Sequence, residues 1–316
     1  MVSALLLLLG FALLIKGADI FVSASVGIAK RLKIPPVIIG LTIVAMGTSA
    51  PEVVISVTAS LRGANALAIS NVVGSNSFNL MFIIGLCALI RALPVKLHEI
   101  SKDFWVSIIA AALLLGLKLL GGEHIPRLGG FILLAAFAIY MVALIRQALK
   151  ARHELKGIDE KAEKPESKPR PFALIIFLAV LGCAMIVFGG QLTVDNATQI
   201  ALSLGVTERV IGLTIVAMGT SLPELITCLL ACKRGENEFA IGSIVGANIF
   251  NIMFILGIAG LISPLEIDQA LVFDTAFLIV GSLVAIKFVY SGKTLGKREG
   301  LVMLLMYAGY MTWVLI

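Results

Sequence analysis

The eleven residues IGLTIVAMGTS occur twice in this chain, as Ile39–Ser49 and as Ile211–Ser221. At that offset of 172 the likeness runs without a gap from Val37–Gly85 against Arg209–Gly257, with 28 identities in 49 positions. Shared hydrophobicity alone does not hold Gly, Thr, Ser, Pro, Glu and Asn in register, so the chain carries a duplicated unit. Any fold for it must seat two copies of one building block.

The surroundings of the repeat identify the solvent. Of 316 residues, 59% are apolar and only 14% charged, with a mean hydropathy of +1.05, where a soluble domain carries roughly 25% charged residues. That excludes a disordered chain, a disulfide scaffold and a collagen, and makes a lipid bilayer the medium. At about 20 apolar residues per spanning helix, ten segments are expected: 2–28, 37–60, 66–90, 104–121, 128–149, 172–201, 209–231, 239–262, 270–290 and 300–316. Met1–Ser3 holds no basic residue and the apolar character continues past Asp19, so the first segment is expected to be a retained helix and not a signal peptide. Residues 151–171 contain 11 charged residues with Pro165, Pro169 and Pro171, and read as a solvated linker.

The predicted architecture is an all-α polytopic membrane protein of ten transmembrane helices. It comprises a five-helix repeat at 1–150, a charged cytoplasmic linker at 151–171 and a second five-helix repeat at 172–316. Five is odd, so the second copy enters the membrane from the opposite side, giving the inverted repeats found in many secondary transporters. With the linker cytoplasmic, the inside loops and helix ends hold 20 Lys and Arg, and the outside ones hold four: Arg62, Lys118, Arg127 and Arg209. The asymmetry puts both termini outside the cell (plasma or inner) membrane. The net charge of +6 then reports orientation, not nucleic-acid binding.

Ionisable residues within spanning helices are costly and usually functional. Glu52 and Glu224 are repeat mates, in Gly47-Thr48-Ser49-Ala50-Pro51-Glu52 and Gly219-Thr220-Ser221-Leu222-Pro223-Glu224. Pro51 has no N–H, so the carbonyl of Gly47 loses its helical donor, and Pro223 does the same to Gly219. Thr48 and Thr220 lie one turn before each carboxylate. The product is a cluster of hard oxygens of the kind sodium and calcium require. The next helix adds Ser75, Asn76 and Asn79 after Gly74 in one half, and Asn248 and Asn251 after Gly246 in the other. Cys87, Cys183, Cys228 and Cys232 lie in apolar stretches without a CxxC pair and are expected to pack. His98, His124 and His153 form no zinc pattern. Asp19 aligns with Gln191, so Asp19 and Asp195 are not mates; they are expected to cap, to pair with Lys16 or to face water. No GxGD, HExxH or intramembrane histidine supports an enzyme.

GTSAPE…GSNSFN and GTSLPE…GANIFN resemble the paired α-repeats of the cation/calcium exchanger superfamily, on its sodium/calcium exchanger side. The resemblance implies an antiporter with Ca²⁺ and Na⁺ as its substrates and the lipid bilayer as its surroundings, with no resident cofactor, no nucleic acid and no obligate protein partner. It implies that Glu52 and Glu224 ligate Ca²⁺, assisted by backbone oxygens at Thr48 and Thr220. Sodium sites would use Ser49, Ser221, Ser75 and the carbonyls of Ala45 and Ala217, with Asn79 and Asn251 lining the centre. The helices of segments one and six would form a sliding gate. A proton/calcium exchanger is the alternative, one glutamate then carrying the proton. Two positions depart from the family pattern. Ala247 stands opposite Ser75, and Asn251 stands where potassium-dependent members carry Asp.

Overall fold

A computed structural model describes residues 2–94, 97–122, 124–156, 171–205, 217–266, 269–292 and 294–315. The start of the predicted segment 209–231, through Val216, and linker residues 157–170 lie outside the described residues. Long apolar runs leave the backbone no partner but itself, and helices satisfy it internally. The helices are α1 (Val2–Leu32), α2 (Pro36–Thr48), α3 (Ala50–Leu61), α4 (Asn65–Ile90), α5 (Leu97–Gly121), α6 (Arg127–Lys156), α7 (Phe172–Ser203), α8 (Ala217–Gly219), α9 (Leu222–Arg234), α10 (Asn237–Ile262), α11 (Gln269–Gly292) and α12 (Lys297–Leu315). Seven of these are long and apolar enough to cross a membrane, and α2 with α3 makes an eighth candidate, bent by 51°.

The spans depart from the expected ten in instructive ways. The second predicted segment is broken at Ser49, whose backbone (φ −80°, ψ 13°) leaves the helical region just ahead of Pro51. Ser221 does the same (φ −89°, ψ 9°) before Pro223. Proline cannot continue the hydrogen-bond ladder, so each GTSxPE run ends one helix and starts another. Helix α12 opens on Lys297, Arg298 and Glu299 and does not meet the same measure of length and apolarity. Helix α6 continues to Lys156, so the predicted linker begins helically.

Two helices form the centre. The apolar stretches of α4 and α10 are 72% and 83% buried, against 22–39% for α1, α5, α6, α7 and α11. Around them the elements recur at matched places. Two-residue strands β1 (Leu93–Pro94), β2 (His124–Ile125), β3 (Leu265–Glu266) and β4 (Thr294–Leu295) pair as β1 with β4 and β2 with β3, antiparallel. Exchanging the two halves of the chain maps one pairing onto the other, which is the signature of a pseudo-twofold axis. The flanking helices follow the same rule. Gly300 of α12 packs against Gly85 of α4, and Gly130 of α6 against Gly257 and Gly260 of α10.

Helices α1 and α7 run antiparallel along one side of this core. Their approach is set by Gly10 and Gly17 facing Gly189 and Gly182. In lipid, where apolar surface offers no net drive to associate, such small residues let backbones touch and packing accumulate. A Cβ on Gly182 would sit 2.8 Å from the Phe21 nitrogen, whereas one on Gly116 would meet nothing within 4 Å. Gly182→Leu is therefore expected to lower the thermal midpoint of the solubilised protein, at an overpacking cost of about 1–3 kcal/mol. Gly116→Leu should leave it unchanged, and equal shifts in the two variants would refute the tight α1–α7 seam.

Candidate functional site

The two helix breaks and the two central helices meet at the pseudo-twofold axis. Glu52 is the third residue of α3 and Glu224 the third of α9, each in the first turn after the break, and both are buried, with 0% and 3% exposure. The helix N-terminus offers each carboxylate a favourable dipole. The serine at each break reaches across the axis. Ser49 Oγ donates to Glu224 Oε1 at 3.0 Å, and Ser221 Oγ donates to Glu52 Oε1 at 3.2 Å. Ser75 Oγ adds a longer contact to Glu52 Oε1 at 3.4 Å. Its repeat mate Ala247, fully buried, has no hydroxyl with which to do the same.

The asparagines form a second crosswise set. Asn76 Nδ2 donates to the Asn248 carbonyl at 3.0 Å, and Asn248 Nδ2 returns a bond to the Asn76 carbonyl at 3.2 Å. Asn251 Nδ2 donates to Asn76 Oδ1 at 3.0 Å, and Asn79 Nδ2 lies 3.5 Å from Asn248 Oδ1. Both α4 and α10 widen into π-helical turns here, Phe78–Ile83 and Phe250–Ile255, which carry Asn79 and Asn251 into the centre. Asn76 and Asn248 anchor this network, although the sequence reading gave them no ligand role. Their signal was present in the repeat, since both lie three residues before the site asparagines and are identical in the two copies.

The network leaves four oxygens over. Glu52 Oε2, Glu224 Oε2, Asn79 Oδ1 and Asn251 Oδ1 are buried and accept no hydrogen bond from a protein donor. A buried acceptor without a donor costs about 1–3 kcal/mol, more when it is charged. The arrangement is built to receive positive charge. The other expected site residues are accounted for as follows. Thr48 Oγ1 turns back to its own helix, onto the Val44 carbonyl at 3.0 Å and the Ala45 carbonyl at 3.4 Å. Ala45 O also accepts the Ser49 N–H at 3.1 Å. Thr220 is buried at the turn after α8, which Ala217 opens. The Gly47 carbonyl that Pro51 leaves without a helical donor receives the Cys183 thiol at 3.4 Å, so this cysteine does more than fill space. The other three cysteines converge elsewhere.

Among the described residues a cavity opens beside the two prolines that precede the glutamates. Its volume is about 550 Å³, and it runs from Gln191, Asp195 and Gln199 on α7 down to Thr220, Pro51 and Pro223. The repeat mates of Gln191 and Asp195 are Asp19 and Ser23 on α1, and there the geometry is reversed. Arg234, at the end of α9, pairs with Asp19 and donates to Ser23 Oγ at 2.5 Å, while Lys16 lies 3.9 Å from Asp19. Because α1 and α7 are antiparallel, with Phe21 beside Gly182, this bridge and Asp195 are separated by roughly 18 Å along the helix axis. The cavity and the bridge lie toward opposite ends of the α1–α7 pair.

Known proteins resemble this chain in sequence and in fold. The profile described as "Sodium/calcium exchanger protein" matches residues 2–146 and 174–316. The chain is 34% identical to the sodium/calcium exchanger MaX1 of Methanosarcina acetivorans over 342 residues, covering 98% of this chain and 97% of that protein. It is 37% identical to the inner membrane protein YrbG of Escherichia coli over 266 residues, covering 83% and 81%. A structure of the sodium-calcium exchanger NCX_Mj soaked with Na⁺ and Ca²⁺ superposes with a TM-score of 0.84 at 28% identity, covering 99% of this chain and 98% of the other.

The reciprocity of the asparagines is open to measurement. Asn76→Ala removes the donor to the Asn248 carbonyl and the acceptor of Asn251; Asn248→Ala removes the mirror-related pair. Each is expected to destabilise the solubilised protein by about 1–3 kcal/mol, with thermal shifts that match each other. A shift in only one of the two would mean that the network is not shared across the axis.

Proposed function

The chain belongs to the sodium/calcium exchanger protein family, and on that premise we infer that it is a secondary active antiporter exchanging Ca²⁺ for Na⁺ by alternating access. It is a multi-pass membrane protein and a transporter, not an enzyme. The observation that carries the reading is the pair of buried glutamates, one from each half, whose Oε2 atoms accept nothing from the protein beside two asparagine oxygens in the same condition. Calcium takes six to eight oxygens at about 2.3–2.6 Å, carboxylates first. Glu52 and Glu224 bind it between them, with the backbone at Thr48 and Thr220, and with Asn79 and Asn251 lining the centre. Sodium binds among Ser49, Ser221, Ser75 and the carbonyls of Ala45 and Ala217. Both cations need the same two carboxylates, so each displaces the other, and that competition couples their fluxes.

The finer architecture is ten spans in two inverted five-helix repeats, 1–150 and 172–316, with the linker cytoplasmic and both termini outside. The odd span count, the 20-to-4 distribution of basic residues and the crosswise bonding support it. In that orientation the cavity beside α7 faces outside and the Arg234 bridge closes the cytoplasmic path. The inward-open state is then the exchange of these roles: Arg234 releases Asp19 and Ser23, and Arg62, its repeat mate, meets Gln191 and Asp195 across the emptied cavity.

Calcium uptake into proteoliposomes under imposed sodium, potassium or pH gradients tests the assignment. Sodium is expected to drive it, and Glu52→Gln or Glu224→Gln to reduce it to background without loss of folded protein, since Gln keeps size and hydrogen bonding but removes the charge. Uptake that follows the pH gradient and ignores sodium would replace sodium by protons as the coupling ion.

The closure has its own test. Val22 is fully buried, and it is the repeat mate of Val194, which lines the open cavity. A cysteine at position 22, in a background lacking the native cysteines, is expected to react severalfold faster with an impermeant thiol reagent applied from the linker side once Arg234→Gln is added. Unchanged labelling would remove the bridge from the gating mechanism.

A further inference from the structure

Away from the carboxylates, the densest group of ligating side chains is a set of three cysteines. Cys87 comes from α4, and Cys228 and Cys232 come from successive turns of α9, four residues apart and so on one face. All three are buried free thiols. Their sulfur atoms lie within 4.8 Å of one another, and Cys87 Sγ is 3.5 Å from Cys228 Sγ. Two sulfurs bound tetrahedrally to one ion at about 2.3 Å each are themselves about 3.8 Å apart. The cluster is thus near ligating separation before any ion is considered.

Its chemistry selects the ion. No histidine or carboxylate joins the three sulfurs among the described residues. Hard cations such as Ca²⁺ and Na⁺ seek oxygen, whereas thiolates favour soft ions. A structural zinc site wants a fourth protein ligand, and the group holds three among the described residues. A thiolate cluster also needs positive charge nearby. Arg91 packs its guanidinium against Gly235, three residues past Cys232, where a Cβ would meet Arg91 Nη1 at 3.3 Å. A cavity of about 290 Å³ lies at that end of α9, lined by Pro36, Pro94 and residues 235–238.

We propose that Cys87, Cys228 and Cys232 form a three-sulfur site for a soft monovalent cation of the copper(I) class, and that its occupation slows exchange. Binding transfers no electrons; the thiols that ligate the ion release their protons to the buffer. The second half of the proposal rests on the antiport reading. Cys228 lies one turn beyond Glu224, and Cys87 is on the helix that carries Asn79, so an ion here clamps together the two halves of the transport site.

The experiment uses the reduced full-length protein under anaerobic conditions, with Cu⁺ delivered in competition with a chromophoric chelator. One Cu⁺ per chain is expected, with ultraviolet thiolate-to-copper absorption. Cys87→Ser and Cys232→Ser should each weaken binding at least tenfold, and Cys183→Ser should leave it intact. Equal affinity in wild type and in the triple serine variant would overturn the site. In proteoliposomes, one equivalent of Cu⁺ is expected to slow calcium flux in wild type but not in Cys87→Ser. Copper bound as described with flux unaltered would overturn the regulatory half alone. Absent flux in copper-free protein would count against the antiport reading, and the titration would still decide the site.

Discussion

Two carboxylates with almost no exposure, inside a protein whose surroundings are hydrocarbon, are the constraint to which the rest of the structure answers. Stripping a charge of water costs several kcal/mol even after the protein relaxes. Glu52 and Glu224 are each given a helix N-terminus and a serine hydroxyl from the opposite half. Both helices must be interrupted to provide these, which is why a proline stands one residue before each glutamate. The compensation stops short on purpose-relevant atoms: one oxygen of each carboxylate is left over. A protein that satisfied every lone pair would have no use for a cation, and one that satisfied none could not hold the carboxylates in place between cargoes.

Neither half can make this site by itself. The shortest side-chain bonds to the carboxylates and the asparagine pair cross from one copy to the other: Ser49 to Glu224, Ser221 to Glu52, Asn76 to Asn248 and back. Two of these crossing bonds start from Ser49 and Ser221, which end the runs the copies share, Ile39–Ser49 and Ile211–Ser221. A change in one copy would leave a buried partner unpaired in the other. Farther out the copies diverge, as Asp19 does from Gln191, because those residues meet different surroundings at opposite ends of the α1–α7 pair. Ser75 and Ala247 bring a smaller divergence into the centre, and it falls on one carboxylate only.

The GTSxPE runs were legible in the amino-acid order because a proline interrupts the helix it sits in, and the duplication because its copies keep the same residues in register. The helix ends were less so, since the second segment breaks at Ser49 and α6 runs on to Lys156. What lay hidden was relational. Helical spacing places Ser75 and Asn79 on one face, but it does not say that Asn76 will be held by Asn248, 172 positions away. The cysteines read as packing residues for the same reason. Cys228 and Cys232 share a face, but the third sulfur arrives from the other half. The freed Gly47 carbonyl was expected from Pro51, while the Cys183 thiol that donates to it comes from α7. The axis supplies these relations, and no single segment contains it.

Alternating access also depends on how little separates the two ends of the molecule. Asp19 and Arg234 keep 40% and 33% of their side-chain surface open, and an exposed ion pair is worth about 0–1 kcal/mol. That is a bias of at most about fivefold between states, enough to favour one closed end without forbidding the other. A transporter needs this weakness, since a ligand can move a two-state equilibrium only by its own differential affinity. Had the bridge been buried and worth several kcal/mol, the cations would have had to supply that difference on every cycle. The tight interactions are accordingly kept where nothing needs to open, along the α1–α7 seam and across the asparagines. The loose one is the Arg234–Asp19 bridge, at the end that the proposed cycle opens.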